Sequence, residues 1–221
     1  MLILKNKSGA TVDEILVGKS SVPRANQTDI TGHTQKYVAL YDIDKDGANE
    51  VFWLQRADGN STVNCKSGQV DTPRWSVPLQ KTLLFPRKTD IAGRNFLPEQ
   101  MLVGDFDNDG KPEVFVAARL SPFFPGILFK LDATTGNELA HYVHLGPFFD
   151  MEAVDLDGDR VQEILLCGGN KFFQDACLVV IDPRFVGGHS PLGGDYFLEG
   201  YEPGTERAYI RIPPTVVGRI F

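Results

Sequence analysis

Asp105-Phe106-Asp107-Asn108-Asp109-Gly110-Lys111-Pro112-Glu113 decides how this chain is read. Acidic side chains stand at positions 1, 3, 5 and 9 of the stretch, with a glycine at position 6. An apolar segment enters it (Met101, Leu102, Val103) and another leaves it (Val114, Phe115, Val116). Carboxylates on alternate residues converge on one point when the backbone coils around it, which is how a hard cation is wrapped in oxygen ligands. Glycine at position 6 permits the sharp turn, and position 7 offers its backbone carbonyl.

The stretch occurs three times. The first copy is Asp42-Ile43-Asp44-Lys45-Asp46-Gly47-Ala48-Asn49-Glu50, and the third is Asp155-Leu156-Asp157-Gly158-Asp159-Arg160-Val161-Gln162-Glu163. From Asp42 to Asp105 is 63 residues, and from Asp105 to Asp155 is 50. Each copy runs into a β-rich segment: Val51-Phe52-Trp53-Leu54, Val114-Phe115-Val116 and Ile164-Leu165-Leu166. Self-similarity at this period points to a propeller or a solenoid.

A second feature repeats with the first. Short polar residues around a glycine recur at Asn6-Lys7-Ser8-Gly9, Cys65-Lys66-Ser67-Gly68 and Ala133-Thr134-Thr135-Gly136, each next to a strand-like run, which is hairpin chemistry. Together the two features predict a four-strand unit. Strand A enters the acidic loop (36–41, 100–104, 150–154) and strand B leaves it (50–55, 113–118, 162–167). Strand C precedes the glycine turn (61–65, 126–132, 177–182) and strand D follows it (74–79, 137–143, 195–199). Four short antiparallel strands per repeat, with no helical periodicity, match an all-β propeller or an arc of one. A parallel β-helix is the structural alternative, but its coils are shorter and lack hairpins.

The blades are expected at about 36–80, 98–145 and 150–199 of a single domain covering 1–221. Residues 1–18 read as strands C and D of an incomplete blade, and 206–221 as strands A and B without an acidic loop. Pro213-Pro214 excludes a helix there. The Gly- and Pro-rich segment 183–207 reads as a long loop or insertion.

The 221 residues suffice for a sizeable core. The formal charge is −7, from 22 basic and 29 acidic residues. Twelve of the carboxylates lie in the three loops, and three divalent ions would bring the sum to about −1, so the acidity is concentrated rather than spread over a repelling surface. No basic patch points to nucleic acid, and no apolar run approaches membrane-spanning length. Met1 leads directly into strand-like Leu2-Ile3-Leu4 without a signal-peptide layout, so the chain is expected to be a portion of a longer protein. Cys65, Cys167 and Cys177 form no C-x-x-C pair; a Cys167–Cys177 disulfide and two buried thiols are both compatible with their placement.

A D-x-D-x-D-G-x-x-E loop between strands, repeated at blade-sized spacing, resembles the FG-GAP/VCBS repeats of integrin-α-like β-propellers. The resemblance covers roughly residues 36–182 and is specific in the first two copies; in the third, Arg160 stands at the position-6 glycine. It implies calcium held by Asp42, Asp44, Asp46 and Glu50 with the Ala48 carbonyl, and by Asp105, Asp107, Asp109 and Glu113 with the Lys111 carbonyl. Asp155, Asp157, Asp159, Glu163 and the Val161 carbonyl form the weaker third set. It also implies an extracytoplasmic setting, where calcium is plentiful. An EF-hand is the competing reading, but position 12 holds Trp53, Val116 and Leu166 rather than an acid.

Three doublets, Phe123-Phe124, Phe148-Phe149 and Phe172-Phe173, fall in the B–C and D–A connections, which share the face opposite the acidic loops. They form a candidate aromatic platform for a glycan or protein partner, or else they fill the gaps between blades. His141 and His144 lie three apart on one strand and point to opposite faces. Gly187-Gly188-His189-Ser190 with Asp195 has the residue types of a nucleophilic triad but no G-x-S-x-G elbow. The expected function is a non-catalytic, calcium-stabilised propeller module that binds a protein or glycan partner. A carbohydrate-active enzyme of the polysaccharide-lyase kind is the alternative, but it needs a convergent base and charge stabiliser that the sequence does not display.

Overall fold

The computed structural model describes residues 2–5, 11–15, 37–57, 60–67, 72–83, 91–120, 124–192 and 198–213. Among these the chain is all-β, with strands β1 (Leu2–Lys5), β2 (Thr11–Ile15), β3 (Val38–Tyr41), β4 (Glu50–Ala57), β5 (Asn60–Ser67), β6 (Trp75–Pro78), β7 (Gln80–Leu83) and β8 (Ile91–Asn95) in its first half. The second half contains β9 (Leu97–Gly104), β10 (Glu113–Arg119), β11 (Gly126–Asp132), β12 (Glu138–His144), β13 (Phe148–Val154), β14 (Glu163–Asn170), β15 (Asp175–Ile181) and β16 (Ala208–Ile212). Three antiparallel four-stranded sheets result, ordered β3-β4-β5-β6, β9-β10-β11-β12 and β13-β14-β15-β16, and β1-β2 and β7-β8 each form a two-stranded ribbon.

The continuous apolar run of β10 explains the stacking. Val114, Val116 and Ala118 point into a core shared with Phe52, Leu54 and Val63 of the first sheet. Phe115 and Ala117, on the other face, join Met151, Ile164, Leu166 and Val179 of the third. A strand covered on both faces carries no polar alternation. The second sheet is thus the middle layer. The first strands of the sheets stand side by side, β9 contacting both β3 and β13. Gln100 of β9 pins one of these junctions: the Met151 N–H donates to its Oε1 at 2.9 Å, and its Nε2 donates to the Met151 carbonyl at 2.5 Å.

Two expectations are corrected. The fourth strand of the third sheet is not 195–199 but β16, which pairs Ala208 with Val180 and Ile212 with Ala176. Ala208–Ile212 is therefore the outer strand of the third sheet rather than strand A of another blade; residues 195–197 and the expected second strand at 215–220 lie outside the described residues. The long connection it requires returns to the second sheet on the way, where His189 bridges Val143 and Pro203. Second, Cys167 is exposed on one face of the third sheet and Cys177 is buried on the other, so they cannot bridge, and all three thiols are free. The β7–β8 ribbon was not anticipated. Residues 1–18 contribute β1 and β2, paired with each other, while their Gly9 turn and Gly68 lie outside the described residues.

Candidate metal sites and the opposite end of the sheets

Each acidic loop is knitted by its own carboxylates in the same way. The position-1 aspartate accepts two backbone N–H groups: Asp42 from Asp46 and Gly47, Asp105 from Asp109 and Gly110, and Asp155 from Gly158 and Arg160, at 2.7–3.1 Å. The position-5 aspartate folds back onto position 7: Ala48, Lys111 and Val161 donate to Asp46, Asp109 and Asp159 at 2.7–2.8 Å. The position-9 glutamate reaches across the loop and accepts from position 2: Ile43 to Glu50, Phe106 to Glu113 and Leu156 to Glu163, at 3.1–3.2 Å. All three glutamates are buried although they are charged residue types.

This frame gathers oxygen donors. One carboxylate oxygen from each of Asp42, Asp44 and Glu50 lies within 4.8 Å of the others. The same holds for Asp105, Asp107 and Glu113, and for Asp155, Asp157 and Asp159. These three clusters could hold a metal ion, and an all-oxygen donor set suits a hard divalent cation. Asp46 and Asp109 lie outside their clusters, whereas in the third loop Asp159 is inside and Glu163 is not.

Positions 4 and 6 are left-handed in every copy: Lys45 (φ 59°) and Gly47 (88°), Asn108 (58°) and Gly110 (86°), Gly158 (82°) and Arg160 (74°). The third loop keeps the shape with glycine moved to position 4, which leaves Arg160 in a conformation that side chains disfavour. Arg160→Gly should therefore stabilise the chain by up to about 1 kcal/mol, read as a shift in the denaturant midpoint.

The sequence reading missed one residue per loop. Arg74, just before β6, places Nη1 3.2 Å from both Asp44 and Glu50. Lys130, in β11, places Nζ 3.0 Å from Asp107 and 3.4 Å from Glu113. Arg207, just before β16, pairs with Glu163 and lies 3.1 Å from Asp157. In all three loops a basic group spans the carboxylates of positions 3 and 9. Lys130 is the deepest and also donates to the Pro183 carbonyl at 2.9 Å. Burial pushes the Glu113 carboxyl up, against the opposing pull of Lys130. Burial acts to raise Asp107 too, but the hydrogen bond and charge of Lys130 outweigh it and hold that carboxyl below its ordinary value. The one sequence signal for any of the three was a lysine inside the apolar run Ile127-Leu128-Phe129-Lys130-Leu131.

No protein-family model, curated protein or solved structure matches the chain.

The antiparallel order puts the B–C and D–A connections at the end away from the acidic loops. The doublets there do not act alike. Phe148 is buried in the core between the second and third sheets, so it is a packing residue and not part of an exposed platform. Its neighbour Phe149 is 59% exposed. Phe124 and Phe172 pack against the other core. Phe173 carries the Arg211 guanidinium 3.8 Å from its ring centre. Phe123 lies outside the described residues. A pocket of about 150 Å³ opens at the same end between the first two sheets, lined in part by Tyr37, Leu54, Arg56, Pro98, Glu99 and Arg119. Phe149→Ala should leave the unfolding midpoint unchanged to within about 0.5 kcal/mol, as expected for a surface side chain.

The remaining candidates do not assemble. His141 pairs with Glu138 and Tyr201, both at 2.8 Å. His144 is fully buried: its Nδ1–H donates to the Gly146 carbonyl at 3.0 Å, its Nε2 accepts from the Tyr209 hydroxyl at 2.8 Å, and its ring stacks on Phe148 at 4.5 Å. Burial lowers its pKa to about 4. The Ser190 hydroxyl accepts from the Leu145 N–H, and His189 Nδ1 turns to the Ser190 carbonyl instead of the hydroxyl. Asp195 lies outside the described residues.

Proposed function

We propose that this chain is a non-catalytic β-propeller module, or an arc of one, of the FG-GAP/VCBS type. Calcium in the acidic loops stabilises it, and the opposite end of its sheets binds a protein or glycan partner. The observation that carries the reading is the threefold repetition of one loop frame that gathers carboxylate oxygens between the first two strands of a four-stranded sheet. One acidic turn would be an ordinary solvated loop. Three in one register, each with a buried glutamate, are a repeated device. Asp42, Asp44 and Glu50, and Asp105, Asp107 and Glu113, would hold the ion, with Asp46 and Asp109 turning in and the Ala48 and Lys111 carbonyls completing the set. The third loop, with Arg160 at its turn, binds more weakly. The ion's work is structural: it offsets the mutual repulsion of the carboxylates and fixes the junction of two strands. An extracytoplasmic protein is the setting in which such modest sites fill.

A thermal melt in calcium against a chelator tests this. A ligand that binds only the folded chain, at a hundredfold excess over its dissociation constant, adds about 2.7 kcal/mol. The midpoint should rise by the corresponding amount and the rise should shrink in Asp107→Ala. An unchanged midpoint at millimolar calcium would leave the loops as acidic turns.

A further inference from the structure

The basic side chain in each acidic loop is the recurring feature that the calcium reading leaves unused. Arg74 reaches its loop from the approach to β6, Lys130 from the middle of β11 and Arg207 from the approach to β16. Two are arginines just before the fourth strand of their sheets and the other is a lysine in a third strand, and each lands on the carboxylates of positions 3 and 9 of its loop. In the first two loops both carboxylates belong to the gathered donor set, and in the third the position-3 carboxylate does.

We propose that Arg74, Lys130 and Arg207 are resident counter-cations of the acidic loops, and that a divalent ion enters a loop only by displacing one of them. The inference rests on the calcium reading only in naming the competitor. Electrostatics requires the competition: a unit positive charge within a few ångström of a divalent ion opposes its binding, and two carboxylate oxygens engaged by a guanidinium or ammonium group are not free to coordinate. The residents thus set the affinity and the order of filling. The third loop is neutralised twice, since Arg184 Nη1 also stands 3.5 Å from Asp159. In the second loop the resident ammonium is buried and holds a backbone carbonyl as well. Arg74 is partly exposed, and its guanidinium can swing into water, so the first loop fills first.

The test is a calcium titration by calorimetry on the whole chain, comparing the natural sequence with Arg74→Gln and Arg207→Gln, and with Arg211→Gln as a control outside the loops. Glutamine keeps part of the aliphatic stem and a polar tip while removing the charge, and a melt in chelator checks that each variant is folded. One site in Arg74→Gln should bind calcium about tenfold more tightly, or more, with a smaller gain in Arg207→Gln and none in the control. Binding by the variants but not by the natural chain would support the counter-cation role while ending the calcium reading of the natural protein. Binding by the natural chain with equal or weaker affinity in both loop variants would overturn the inference and leave the calcium reading intact. No calcium binding by any of the proteins would overturn both.

Discussion

Lys130→Met should cost the folded chain about 3–5 kcal/mol, the loss expected when one partner of a buried ion pair is removed. Side-chain exposure is 10% for Lys130, 11% for Asp107 and 4% for Glu113, so water can do little to solvate two carboxylates left without their ammonium. Methionine fills most of the volume, and the effect is therefore one of charge and hydrogen bonding rather than of a cavity. The comparison that identifies the cause is Arg74→Gln. That residue makes the same pair of contacts, but its side chain is 33% exposed and that of its position-3 partner Asp44 is 46% exposed, so only Glu50 is left buried and the loss should be clearly smaller than in Lys130→Met. Equilibrium urea unfolding of both variants reads the difference. Similar small losses in both would show that the second loop is as well solvated as the first.

The second large effect is on the acid side. His144 is neutral in the fold and its pKa is lowered to about 4 by complete burial, against an ordinary value near 6.5. The unfolded chain therefore binds a proton, and the folded chain does not, between these two values. The contribution of this group to stability is fully present above about 6.5 and falls as pH drops towards 4, by about 3 kcal/mol in all. The stability of the natural chain relative to His144→Gln, which retains a donor and an acceptor but does not titrate there, should fall by that amount in denaturant midpoints taken between pH 7 and 4; Glu113, whose carboxyl burial pushes up, acts in the opposite direction and equally in both proteins. The variant's absolute stability is expected to be lower because the stack on Phe148 is lost. An identical slope in the natural chain and the variant would rule out His144 as the source.

Much of this was legible in the sequence because it is local. The acidic loops announce themselves by residue spacing, and the strands on either side by short apolar runs. What was missed is nonlocal. Arg74 lies 30 residues from Asp44, and Arg207 lies 50 from Asp157, and nothing in either neighbourhood marks them as partners of a loop. The outer strand of the third sheet was misplaced because β16 follows a connection far longer than its counterpart in the second sheet. A five-residue strand carries the same pattern wherever it pairs. Phe148 and Phe149 show the limit of composition: the doublet is visible, but which ring enters the core depends on an irregularity between Phe148 and Asp150 in the pairing of β13 with β14.

The late arrival of β16 has a kinetic consequence. In the second sheet, 5 residues separate β11 from β12; in the third, 26 separate β15 from β16. Closing the longer connection costs about 1.5 kcal/mol more chain entropy, to be met before any bond to Ala208–Ile212 repays it. The folding chain should therefore complete its middle layer first and dock its last strand afterwards. Until then β15 is an edge, with the backbone groups that will pair with β16 unpaired and open to another chain. Pulsed hydrogen exchange during refolding would see amides of β10 and β11 protected before those of β16, and the interval between the two is the period in which this protein is most exposed to misassembly.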